Sequence, residues 1–111
     1  MLNIALSGCN GRMGHVVTDI VSKRSDMRIA AGFDLNAAKT GDFPVFADPF
    51  EYTGVCDVII DFSNASSTEH LLSYCEKHQV PIVICTTGHS AEQLQNIRAA
   101  SAKFPVFRSG N

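Results

Sequence analysis

The chain has 111 residues and a mass of 12.0 kDa, room for one compact domain and too little for two ordinary ones. Hydrophobic residues make up 45% and charged residues 18%, a folded rather than disordered composition. Nine Lys and Arg against eleven Asp and Glu leave a net charge of -2, which offers no basic footprint for nucleic acid or an anionic membrane. No apolar run reaches the ~20 residues that cross a bilayer, and Met1-Leu2-Asn3-Ile4 lacks the basic start and apolar stretch of a signal peptide. The four cysteines, Cys9, Cys56, Cys75 and Cys85, form no C-x-x-C pair, so neither a zinc site nor a dithiol redox motif is written locally. They read as reduced thiols in a cytosolic protein.

The first element is a short apolar strand over residues 2–6, stopping at Ser7-Gly8. Met13, Val16, Val17, Ile20 and Val21 follow at helical spacing and predict one apolar stripe on a helix running to about Lys23. A second strand is expected over residues 27–34, then a loop containing Gly41, Pro44 and Pro49 with at most a short strand at Val45-Phe46. Residues 57–62 carry three consecutive β-branched side chains, Val58-Ile59-Ile60, the mark of a strand covered on both faces. Ser66 and Glu69 form a capping-box pattern ahead of the apolar positions Leu71, Leu72 and Cys75, whose helix ends near His78. Residues 81–85 make another buried strand. Ser90 and Gln93 repeat the capping pattern before Leu94 and Ile97, and residues 104–107 supply a final strand. Strictly alternating strands and helices predict a single-domain Rossmann-like α/β fold, an open doubly wound parallel sheet whose ligand lies off the carboxyl ends of the strands.

Gly8-Cys9-Asn10-Gly11-Arg12-Met13-Gly14 lies between the first strand and the first helix. Exposed backbone N–H groups at a helix start attract a pyrophosphate, and glycine allows both the sharp turn and the close approach of the ligand. The spacing is G-x-x-G-x-x-G, with Asn10 where a glycine is usual, and asparagine tolerates left-handed backbone angles. Asp34 stands twenty residues beyond Gly14 at the end of the second strand, where a dinucleotide fold places the carboxylate that holds the adenosine ribose. A turn cap is the simpler account of Asp34 alone; loop, helix and acid together favour a dinucleotide. A carboxylate ~4 Å from a 2′-phosphate is repelled by a few kcal/mol at an effective dielectric near 20. NADH is therefore expected to be preferred over NADPH, with Arg12 and Lys39 as the cations able to offset the repulsion.

Gly11-Arg12-Met13-Gly14, Asp61-Phe62-Ser63, Thr86-Thr87-Gly88 and Ser109-Gly110-Asn111, in that order along the whole chain, resemble the 4-hydroxy-tetrahydrodipicolinate (dihydrodipicolinate) reductase family of lysine and diaminopimelate biosynthesis. The resemblance implies that Gly8, Cys9, Asn10, Gly11, Arg12 and Met13 cradle the pyrophosphate of NAD(P)H and that Asp34 holds the ribose. Cys85, Thr86, Thr87 and Gly88 would lie near the nicotinamide ribose, Cys85 standing where the family has glycine. Ser109, Gly110 and Asn111 match the start of a loop under the nicotinamide. The resemblance further implies hydride transfer to a cyclic dicarboxylate, with a His-His pair, a lysine and a Ser-Gly-Thr segment in a substrate domain. That motif does not occur here, so the chain reads as a cofactor-binding portion cut before that domain, near-inactive alone, from a homotetrameric parent. A stand-alone dinucleotide-sensing module and the corresponding domain of another dehydrogenase remain the alternatives.

The other reactive side chains have ordinary readings. His15, His70 and His78 are expected on the surface or at caps. His89, directly after Thr86-Thr87-Gly88, is the one placed to touch nicotinamide or substrate. Asp57 and Asp61 stand ~13 Å apart on an extended strand, too far to share one bond, and Asp57 is expected to cap the strand entry. Ser63 and Ser90 lack a G-x-S-x-G elbow. Cys9 sits where a helix start favours thiolate; it reads as a loop residue, with redox sensing the lesser option.

Overall fold

The computed structural model describes residues 1–39 and 41–109. Six parallel strands form one sheet in the order β3-β2-β1-β4-β5-β6. They are β1 (Leu2–Ser7), β2 (Met27–Phe33), β3 (Val45–Phe46), β4 (Val58–Asp61), β5 (Ile82–Ile84) and β6 (Val106–Arg108). Three helices connect them: α1 (Arg12–Ser22), α2 (Thr68–His78) and α3 (Ala91–Ala100). This is the Rossmann-like doubly wound arrangement, and the strand order reverses between β1 and β4. The short strand at Val45-Phe46 forms as expected. Two 3-10 turns, Pro49–Glu51 and Ala65–Ser67, were not legible in the hydrophobic pattern. Among the described residues no helix is long and apolar enough to cross a membrane.

One face of the sheet carries most of the core. Ala5, Ala31, Phe33, Ile59, Ile82 and Ile84 pack against Leu71, Leu72, Tyr74 and Cys75 of α2 and against Ile97 and Ala100 of α3. Each large side chain removed from water there contributes ~1.5–3 kcal/mol before entropy is set against it. On the opposite face Leu6, Cys9 and Phe43 gather Val17, Ile29, Val45, Ile60 and Phe62 around them.

Two local expectations are corrected. The five apolar positions of α1 do not share one buried stripe: Val21 is buried and Val17 half-buried, while Met13, Val16 and Ile20 are 45%, 44% and 55% exposed. The helix is rolled so that Gly14, not Met13, is buried, against the loop the helix has just left. A Cβ on Gly14 would lie 2.3 Å from the Gly8 carbonyl oxygen and 2.5 Å from that of Cys9, and only glycine allows so close an approach.

The expected Ser66–Glu69 capping box is also absent. Asn64 accepts instead from the Ser66 N–H at 3.1 Å, α2 begins at Thr68 without a side-chain cap, and the Glu69 carboxylate accepts from Gln93 Nε2 at 2.9 Å. The Ser90–Gln93 box does form, with both reciprocal bonds at 3.0 and 3.1 Å.

Gly14→Ala sets two effects against each other. Alanine favours a helix interior by ~1 kcal/mol, but its methyl would meet two backbone carbonyls that cannot rotate away. The clash is larger, at ~1–3 kcal/mol or more. We expect a net lower urea midpoint, and an unchanged or raised midpoint would contradict this packing.

Candidate functional site

The described candidate residues collect along the carboxyl edge of the sheet, because every parallel strand delivers its following loop to that edge. A cleft of about 490 Å³ opens beside the β1/β4 reversal, lined by Ser7, Gly8, Gly11, Phe33, Asp34 and Leu35, with Phe62, Ser63, Ser67 and His70 across from them. A second cavity of about 220 Å³ lies off β5 and β6, lined by Thr86, Thr87, Gly88, His89, Leu94, Arg108 and Ser109.

The glycine loop is shaped by two separate requirements. Gly8 has φ +79°, and a Cβ there would lie 2.7 Å from the Phe62 backbone, so conformation and packing both demand glycine. Gly11 differs: it is exposed, has φ -83° as the N-cap of α1, and a Cβ would meet only the Gly8 oxygen at 3.4 Å. The protein itself therefore leaves room for a side chain at Gly11. The first turn of α1 has neither a side-chain cap nor an acidic residue, so its amides and the positive end of the helix dipole face the cleft edge unneutralised.

Asn10 does not use the left-handed conformation expected for it. Its side-chain amide instead donates to the carbonyls of Asn36 and Ala38 at 2.6 and 2.9 Å, and its backbone N–H donates to Asp34 Oδ2 at 3.0 Å. Asp34 Oδ1 accepts the Asn36 N–H at 2.9 Å. The carboxylate thus clasps the glycine loop and the loop after β2. Each carboxylate oxygen offers two lone pairs, which leaves acceptor capacity toward the cleft.

On the other side of the reversal, the fully buried Asp61 accepts from the Ser63 N–H at 2.9 Å, the Ser63 hydroxyl at 2.5 Å and the Thr86 hydroxyl at 3.2 Å. It thereby ties the loop after β4 to the loop after β5. Asp57 lies at the opposite end of β4, where it accepts from the Asn3 N–H at 2.7 Å, the strand-entry cap expected of it.

Gly8, Gly11 and Asp34 line the larger cleft and Thr86, Thr87, Gly88 and Ser109 the smaller. Cys9, Asn10, Arg12, Met13 and Cys85 line neither. Gly110 and Asn111 lie outside the described residues. Cys9 is a loop residue between β1 and α1, as expected, but a buried one: it is 1% exposed and packs with Leu6 and Phe43. Burial, aided by the Asp34 charge, pushes its thiol up to about 11, the reverse of an activated thiolate. Burial also raises the Cys85 thiol, with Asp61 adding to the effect. All four cysteines are free.

The sequence reading passed over the wall formed by Ser66, Ser67 and His70. His70, expected merely at the surface, stands on the cleft with Nε2 2.8 Å from Asp48 Oδ1. That hydrogen bond holds the Asp48 carboxyl below its ordinary range, the Phe50 N–H assisting. The available signal was position alone, since a helix that follows β4 starts at the cleft.

Fold and edge together define a nucleotide-binding α/β domain of the dehydrogenase type. The family model described as "Dihydrodipicolinate reductase, N-terminus" matches residues 2–111, and the chain belongs to that family. It is 42% identical over 111 residues to the 4-hydroxy-tetrahydrodipicolinate reductase of Clostridium tetani and 39% identical to that of Caldanaerobacter subterraneus subsp. tengcongensis. In both cases the match covers all of this chain and 44% of the relative's length. A dipicolinate-bound dihydrodipicolinate reductase from Paenisporosarcina sp. TG-14 superposes with a TM-score of 0.76 at 26% identity. That match covers 91% of this chain and 43% of the other.

The Cys9 thiol gives a pH prediction. An unfolded thiol ionises near ~8.5, whereas folded Cys9 stays neutral until about 11. Its contribution is fully present below the unfolded value and is lost as pH rises through the folded one. The denaturation midpoint should fall between these limits, and the fall should be shallower in Cys9→Ala. At pH 8 a thiol reagent should modify Cys9 only after unfolding; rapid native modification would contradict the burial.

Proposed function

We propose that this chain is the cofactor-binding part of a 4-hydroxy-tetrahydrodipicolinate reductase and holds a nicotinamide dinucleotide across the carboxyl edge of its sheet. The observation that carries the reading is Gly11. Neither its conformation nor its protein neighbours require glycine, yet it sits at the uncapped start of α1. A diphosphate resting on those amides would need the missing side chain and would complete the helix N-terminus.

The two cavities then take the two halves of the cofactor. Strands β1–β3 form one mononucleotide-binding half and β4–β6 the other, so the adenosine side falls in the cleft beside Asp34 and Leu35. The nicotinamide side falls beside Thr86, Thr87, Gly88 and Ser109, with Gly110 and Asn111 continuing that loop. The chain's own residues bind and orient: Asp34 accepts from ribose hydroxyls, and Asp61 holds Thr86 and so the strand end below the nicotinamide. Cys9, Arg12 and Met13 contribute through backbone amides and loop shape, Asn10, whose N–H is held by Asp34, through loop shape, and Cys85 through the strand end it occupies. When bound, the reduced nicotinamide supplies hydride. The acceptor would be a cyclic dicarboxylate held by a further domain, in a cytoplasmic homotetramer serving lysine and diaminopimelate biosynthesis.

NADH is the preferred cofactor in this reading, because a 2′-phosphate would sit against the Asp34 carboxylate. Arg12 and Lys39 form no ion pair among the described residues and are the cations through which NADPH would still be accepted.

Calorimetry on Gly11→Ala tests the main claim. The urea midpoint should be nearly unchanged while NADH affinity drops tenfold or more; unchanged affinity would remove the diphosphate from this loop. Asp34 tests the cofactor choice through a ratio, which a general loosening of the loop would leave alone. Wild type should bind NADH at least tenfold tighter than NADPH, and Asp34→Ala should narrow or reverse that ratio. Tighter NADPH binding by wild type would sink the preference.

A further inference from the structure

His70 carries the one aromatic ring of the larger cleft that stands open to solvent. Of the other rings lining it, Phe33 is buried and Phe62 half-buried, whereas the His70 side chain is 53% exposed. The ring is nevertheless held. Its Nε2 lies 2.8 Å from Asp48 Oδ1, and the Phe50 ring meets it at a steep angle of 64° with centroids 5.1 Å apart. Asp48 is itself fixed, because Oδ1 also accepts the Phe50 N–H at 3.0 Å. These partners belong to the segment whose Ala47 and Pro49 line the same cleft. The imidazole therefore bridges α2 to that segment and forms part of the cleft wall.

The rest of the lining says what such a ring can meet. Asp34 is the one carboxylate among the residues around the cleft, and no lysine or arginine joins it there. Beside Asp34, Leu35 is 80% exposed, and Ala47, Pro49 and Leu71 add further apolar surface. The space between Asp34 and His70 thus suits a flat, uncharged group and offers nothing to a second phosphate. A ribose held through its hydroxyls by Asp34 carries its base on the adjoining ring carbon, so the base enters this same cleft. Aromatic side chains hold bases through their π-faces without needing a hydrogen-bond code.

We infer that His70 packs its imidazole ring against the adenine of the dinucleotide. This inference rests on the cofactor reading above, and it adds a base contact that the glycine loop and Asp34 do not provide.

Two variants separate the ring from its nitrogens. His70→Ala removes both, whereas His70→Phe keeps a flat ring and gives up the bond to Asp48. Calorimetry should use NADH and ADP, which keeps the adenosine and lacks the nicotinamide riboside. His70→Ala should bind each of them about fivefold more weakly, and His70→Phe should bind nearly as tightly as wild type. The NADH-to-NADPH ratio should be the same in His70→Ala as in wild type, because both cofactors carry the same base. Undiminished binding by His70→Ala, a loss confined to NADH, a Phe variant as weak as the alanine one, or a shifted cofactor ratio would overturn the assignment and leave His70 as a tie to Asp48. If wild type binds neither ligand, the cofactor reading fails and this inference with it; if wild type binds both and the alanine variant matches it, only the His70 assignment fails. An exposed His–Asp pair contributes little to stability, so urea midpoints close to that of wild type confirm that the folded chain is being compared.

Discussion

The start of α1 lies almost in contact with the backbone it has just left, and the rest of the edge follows from that approach. With no side chain on Gly14, the helix settles onto the carbonyls of Gly8 and Cys9. With none on Gly8, the same turn settles against the Phe62 backbone at the end of β4. Three elements therefore meet backbone to backbone at the point where the strand order reverses. With glycine as its N-cap, the helix starts without a side-chain cap, and its first amides keep the hydrogen-bonding capacity of an uncapped helix start.

Holding such a turn open requires polar ties that do not themselves fill the cleft. Asp34 and Asp61 serve on the two sides of the reversal, and they do so differently. Asp34 is half-exposed and accepts two backbone N–H groups from successive loops, so it can keep its place and still present lone pairs to a ligand. Asp61 is buried and spends its acceptors on Ser63 and Thr86. Hydrogen bonds to buried carboxylates are stronger than neutral ones and costly to leave unmade, which suits Asp61 to fixing strand ends rather than to touching ligand.

Much of this was legible in the sequence because the chemistry is local. The runs Ile4-Ala5-Leu6 and Val58-Ile59-Ile60 mark buried parallel strands with no tertiary information, and Asp57 at a strand entry has little else to do. What escaped depended on contacts that periodicity and spacing do not encode. The five apolar positions on α1 lie on one stripe, and how much of it faces inward was decided by the backbone contact at Gly14. Ser66 and Glu69 had the spacing of a capping box, but Asn64 captured the Ser66 amide first and Gln93 captured the Glu69 carboxylate. Asn10 looked like a residue chosen for its backbone angles, whereas its amide bridges to Asn36 and Ala38 in the loop after β2. His70 gave no local sign because its partner, Asp48, comes from a loop more than twenty residues away.

The sheet is also unequally covered, and the asymmetry bears on how the edge keeps its shape. Among the described residues α2 and α3 both pack on one face, while α1 alone serves the other, because the segment between β2 and β3 forms no helix there. On the α1 side the row Ile60, Val83 and Phe107 runs across β4, β5 and β6 from half-buried to exposed. A parallel sheet is normally buried on both faces, so the strands beneath the second cavity are held mainly from one side. The loops after β4 and β5 cannot rely on packing from above. The Asp61 bonds to Ser63 and Thr86, together with the Thr68–His89 contact, substitute for that support by tying the loops to each other and to the start of α2.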